Sequence, residues 1–110
     1  MNIKVTQMAS KNDILRFIAN FSKHPGALDM FQNGKCAWFA VILSHRFDKE
    51  EADVMYDSIA NHFGTYIDGT VYDITGDVTN SYRWETWSDF YNADPVHGRR
   101  VLRDCYYFDE

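Results

Sequence analysis

"NHFGTYIDGTVYDITG", Asn61 to Gly76, decides how this chain is read. Asp68-Gly69 is a strong signal for a two-residue hairpin turn, because both central positions of that turn take positive φ. With the turn placed there, Ile67 faces Thr70, Tyr66 faces Val71 and Thr65 faces Tyr72, while Gly64 faces Asp73 and His62 faces Thr75. Side chains alternate along a strand. Phe63, Thr65, Ile67, Thr70, Tyr72 and Ile74 therefore share one largely apolar face. His62, Gly64, Tyr66, Val71, Asp73 and Thr75 share the other. His62 and Asp73 become diagonal neighbours about 7 Å apart, a gap that side chains bridge. A slip of one residue would separate them.

Upstream, "VMYDSIANHFGTYI" has the composition of one long strand leading into that turn. It gives a hairpin over about 54–75, with "TVYDIT" returning as the partner. Before it, "CAWFAVILSHRF" is apolar on every side, the mark of a buried helix. Asn33 is its expected N-cap and Cys36 lies in its first turn. "ALDMFQNGK" is expected to be a loop or turn, and "DKEEAD" a polar connection. Near the start, Ser10 and Asp13 have capping-box spacing ahead of the Ile14, Ile18, Phe21 stripe of an amphipathic helix, which His24-Pro25-Gly26 stops. "MNIKVTQM" reads as a short edge strand. Thr86 and Asp89 are spaced to cap a short helix, Asp94-Pro95 opens another, and "YYF" reads as a strand at the end. The expected fold is α+β: a small single domain, 1–110, with the Cys-bearing helix packed on an antiparallel sheet.

The composition suits one such domain. The chain has 110 residues, 45% hydrophobic and 16% aromatic, with a net charge of −5 and a pI near 5.2. That material supports a core. Without a basic patch, nucleic acid and anionic membranes are poor partners. The first residues lack the basic start and apolar run of a signal peptide, so a cytoplasmic setting with reduced thiols is expected.

Chemistry follows from where three residues fall. A carboxylate bonded to one imidazole nitrogen fixes the ring's orientation and leaves the other nitrogen as a base. Asp73 and His62 are placed for that relation. A base needs a nucleophile, and Cys36 at a helix start is the candidate, since helix N–H groups and a nearby imidazolium both favour thiolate. Oxyanion donors are expected from the Cys36 backbone N–H and from Gln32 or Asn33. Trp84 and Tyr66 are candidate substrate-binding aromatics. The substrate expected is a protein or peptide, with no cofactor. A metal held by Cys36, His62, Asp73 and His45 lacks any supporting spacing.

"GKCAWFAVIL" followed by "NHFGTYIDGTVYDITG" resembles a minimal papain-like or transglutaminase-like core over Gly34 to Gly76. In that superfamily a cysteine opens a central helix, with histidine and Asp or Asn on neighbouring strands. The resemblance implies Cys36 as nucleophile, His62 as base and Asp73 as orienting acid. It departs at Phe63-Gly64, where transglutaminase-like chains usually carry tryptophan after the histidine. The function expected is a thiol-dependent hydrolase or acyltransferase acting on an amide, isopeptide or thioester. The alternative is an acidic interaction protein without chemistry, such as a phage- or mobile-element-encoded inhibitor of a host protein.

Overall fold

In the computed structural model, which describes residues 9–32 and 35–107, a five-stranded antiparallel sheet carries helices around it. The helices are α1 (Lys11–Ser22), α2 (Ala27–Gln32), α3 (Cys36–Arg46), α4 (Trp87–Ala93) and α5 (Pro95–Leu102). The strands are β1 (Asp53–Asp57), β2 (His62–Ile67), β3 (Thr70–Asp73), β4 (Gly76–Asp77) and β5 (Glu85–Thr86), in the order β4-β3-β2-β1-β5. The class is α+β, as expected. "MNIKVTQM", Asn33 and Phe108 lie outside the described residues, and the N-cap of α3 is Lys35, with no side-chain cap bond, rather than Asn33.

The hairpin closes in the expected register, Thr65 opposite Tyr72, Tyr66 opposite Val71 and Ile67 opposite Thr70. Asp68 and Gly69 take φ of 49° and 89°, the left-handed pair that a turn of this twist requires. The expected long strand is instead two. Asp57 Oδ1 accepts from the N–H groups of Ile59 and Ala60, at 2.8 and 3.1 Å. Asn61 takes φ of 52°, and the Tyr56 hydroxyl donates to its side-chain oxygen at 2.6 Å. Asp and Asn that bond the local backbone make turns inside strand-like composition. β1 thus folds back on β2, with Asp57 opposite His62. β3 also ends early, at Asp73, whose Oδ1 accepts from the Thr75 N–H at 2.8 Å.

Two further expectations are corrected. The expected loop at Ala27 is helix α2, which buries Ala27 and Phe31 one turn apart. At the chain's end Arg103–Tyr107 form a π-helical turn rather than the start of a strand. Helix α1 has its capping box: Ser10 Oγ accepts from the Asp13 N–H at 3.1 Å and Asp13 Oδ2 from the Ser10 N–H at 3.0 Å. Thr86 and Asp94 cap α4 and α5 through their side chains.

Helix α3 divides the core. Phe39 and Leu43 join Ile14, Ile18, Phe31, Ile67, Tyr72 and Ile74 on one side. Cys36, Ala37 and Ala40 join Tyr56, Phe63, Phe90, Val101 and Cys105 on the other. Thr65 fastens the helix to the sheet by donating to the Ala40 carbonyl at 3.0 Å. The helix is not covered all round, for Trp38 is 43% exposed.

Candidate active site

His62 opens β2 and Asp73 ends β3, so the twist of the hairpin brings the two side chains together. The His62 Nε2–H donates to Asp73 Oδ2 at 2.8 Å. Asp73 is 5% exposed. Its other oxygen accepts from both the N–H and the hydroxyl of Thr75, at 2.8 and 2.6 Å, so the carboxylate is held by donors on both sides. Burial works to raise its pKa, but the bonds from His62 and Thr75 outweigh burial and lower it.

His62 is the most informative titrating group. Burial disfavours its charged form, yet hydrogen bonding and charge from Asp73 and Cys36 prevail and lift its pKa to about 9. Cys36 thus acts electrostatically on the same imidazole that Asp73 holds. With Nε2 taken by the carboxylate, Nδ1 is the nitrogen left for other chemistry. Cys36 itself is 8% exposed and packed in the apolar cluster of Tyr56, Phe63 and Phe90. Cys105, a free thiol in that cluster, is pushed up to about 11 by burial and by the neighbouring Cys36.

A cleft of about 440 Å³ opens over this pair, lined by Gln32, Ala60, His62, Asp73, Thr75, Val78, Ser81 and Tyr82. Gln32, a candidate oxyanion donor, is thus on the cleft wall; Asn33, the other, lies outside the described residues. Trp84 is half-buried with its ring centre 6.0 Å from that of His62, and its indole N–H donates to the Val78 carbonyl. It braces the histidine from the side rather than lining the cleft. Its tip also occupies the space above Gly64, where an added Cβ would meet Trp84 at 3.0 Å and Val71 at 2.8 Å. The room left by Gly64 is filled by these two side chains. Tyr66 is 41% exposed and sits four residues along β2 from His62, about 13 Å at strand rise, away from the cleft. His45 lies in the last turn of α3, nine residues from Cys36 and roughly 13 Å along the helix axis. Among the described residues no group of three or more His, Cys, Asp or Glu is arranged to hold a metal ion.

Three contributors escaped the sequence reading. Tyr82 stacks on His62, ring centres 4.6 Å apart and planes 23° from parallel. Thr75 anchors Asp73. Asp57, 4% exposed, accepts through Oδ2 from the Arg83 N–H at 2.9 Å while its Oδ1 holds the 58–61 turn. Burial opposes its charge, but the backbone bonds from Arg83, Ala60 and Ile59 lower its pKa. It links the turn before His62 to the loop that carries Tyr82. The Asp57-to-Asn61 spacing was the available sign of that turn.

The family model described as Phage YunG-like protein matches residues 14–99, a span that contains Cys36, His62 and Asp73. No curated protein and no solved structure matches the chain. With most of its length matched, this chain belongs to the Phage YunG-like protein family.

Proposed function

We propose that this protein is a thiol-dependent hydrolase or acyltransferase acting on an amide, isopeptide or thioester, related to the papain-like and transglutaminase-like enzymes. One observation carries the reading: His62 bonds Asp73 at 2.8 Å, and Cys36 is among the groups that raise the pKa of that same imidazole. Cys36 attacks the carbonyl carbon, and the leaving amine or thiol takes its proton from His62. Water or an acceptor amine then gives a proton back to His62 as it attacks the acyl-thioester and releases Cys36. Asp73 holds the ring, and Gln32 is the wall residue with an amide to offer the oxyanion.

Alkylation by iodoacetamide at pH 6 tests it. An adjacent imidazolium favours thiolate, so Cys36 is expected to react at least tenfold faster than free cysteine, and His62→Ala to remove the advantage. A Cys36 that reacts no faster than free cysteine sinks the proposal.

A second reading has its own support in the family's phage description and the net charge of −5: an acidic protein that blocks a basic host surface. Cys36→Ala separates the two. A blocking protein keeps its effect in that variant, provided it folds, and an enzyme loses it.

A further inference from the structure

Tyr82 reaches His62 from a loop without helix or strand, and that loop is pinned on both sides of the tyrosine. Upstream, the Val78 N–H donates to the Val71 carbonyl of β3 at 2.8 Å, and the Ser81 N–H donates to the Val78 carbonyl at 3.1 Å. Downstream, the Arg83 N–H donates to buried Asp57 at 2.9 Å. The Trp84 indole N–H closes the loop on the Val78 carbonyl at 3.1 Å. With both chain neighbours of Tyr82 tied down, the backbone sets where its ring stands. That ring has two aromatic neighbours, His62 at 4.6 Å and Trp84 at 5.0 Å between centres. The Asp73 bond holds one atom of the imidazole, Nε2, and leaves the ring plane soft, since χ2 of a histidine has broad minima.

We infer that Tyr82 is a positioning residue for the proposed reaction: its ring, within 23° of parallel to His62, fixes the plane of the imidazole and so aims Nδ1. Why that aim matters rests on the thiol-enzyme reading; that the ring is held does not. Turning the imidazole about its Cβ–Cγ bond would sweep a ring edge through the space the tyrosine fills. Stacking therefore blocks the turn that would put a carbon where Asp73 holds a nitrogen. A π face also suits a cationic partner, and the stacking distance is inside the ~6 Å reach of such contacts. The titrating groups that act on His62 are Asp73 from β3, Cys36 from α3 and Asp57 from β1. Burial first, then Asp73, Cys36 and Asp57, raise the Tyr82 pKa, so its hydroxyl stays neutral against the imidazolium. The ring, rather than the hydroxyl, carries the role.

Two variants test it: Tyr82→Phe keeps the aromatic plane, and Tyr82→Leu keeps apolar bulk without it. Cys36 alkylation by iodoacetamide is followed from pH 5 to 10 in the reduced full-length chain, with His62 titrated in parallel by NMR. Tyr82→Phe is expected to match the wild type within about twofold, and Tyr82→Leu to slow alkylation at pH 6 by about tenfold. Tyr82→Leu is also expected to weaken proton binding at His62 by about tenfold. A merely structural tyrosine would lower stability without moving that titration. Leucine that serves as well as phenylalanine overturns the inference, as does an equal loss in both variants, which would give the role to the hydroxyl. The wild type alone supplies a further measurement: a held ring leaves the His62 ring signals free of exchange broadening, and flipping on the microsecond-to-millisecond timescale overturns the inference. A His62 titration that depends on an aromatic ring at position 82, in a chain whose Cys36 reacts no faster than free cysteine, would uphold the positioning and overturn the enzyme.

Discussion

At the scale of residues, the His62–Asp73 pair ties stability to pH. The histidine's pKa is raised from 6.5 to about 9, so its contribution is complete below pH 6.5 and fades as pH climbs through about 9. The aspartate's is lowered from 3.8, so its contribution is present above pH 3.8 and lost as pH falls through the depressed value. The bond between them is common to both shifts, alongside Cys36 at the histidine and Thr75 at the aspartate, and has its plateau from about pH 4 to 6.5. Asp73→Asn is therefore expected to lower Tm most on that plateau and progressively less as pH climbs from 6.5 to about 9, which calorimetry over pH 4 to 10 would measure. A Tm difference that grows above pH 9 would contradict the assignment. This pair was legible in the sequence because strand alternation and one turn dipeptide fix which side chains meet. Tyr82 was not, because a stacking partner delivered by an irregular loop has no periodicity to betray it.

Elements show where reading by composition gives way. "VMYDSIANHF" has the residues of a strand, yet one buried carboxylate turns it: Asp57 satisfies two N–H groups within the turn and a third at Arg83. Asp57→Ala leaves those donors short of an acceptor and is expected to cost about 3 kcal/mol in urea unfolding, with His62 losing its alignment to Tyr82. Helix α2 escaped because a six-residue helix between a Gly26 at φ 80° and the start of α3 has room for two i, i+4 pairs, of which Ala27 and Phe31 alone are both buried. Gly64 makes a sharper case at the hairpin. A methyl there would press on Val71, Trp84 and the Tyr72 carbonyl, the last of which is backbone and cannot swing aside. Gly64→Ala is expected to destabilise by about 2 kcal/mol and to change the tryptophan emission as Trp84 is displaced. An unchanged spectrum at unchanged stability would mean that the strand absorbs the methyl elsewhere.

For the whole molecule, the two halves of the core do different things. Ile14, Ile18, Phe39 and Leu43 fasten α1 and α3 to the hairpin. The other half packs Phe90, Val101 and Cys105 in one cluster with Cys36, which is 8% exposed. Val101→Ala is expected to cost about 2 kcal/mol and, by loosening α5, to speed Cys36 alkylation under native conditions. Equal alkylation rates in the two proteins would show that α5 does not gate the thiol. α+β class and hairpin register were both readable, as each follows from local periodicity. The division of the core was not, because Phe90 and Val101 reach Cys36 only through tertiary packing.

That packing also sets an order in time. Synthesis proceeds from the N-terminus, so Cys36, His62 and Asp73 are all made before Phe90, Val101 and Cys105. A nascent chain can pair its histidine and aspartate as soon as the hairpin is out, while its thiol still lacks a roof. Until Phe90, Val101 and Cys105 have been added, the apolar cluster that buries Cys36 is incomplete, and the thiol is open to oxidants and to other thiols.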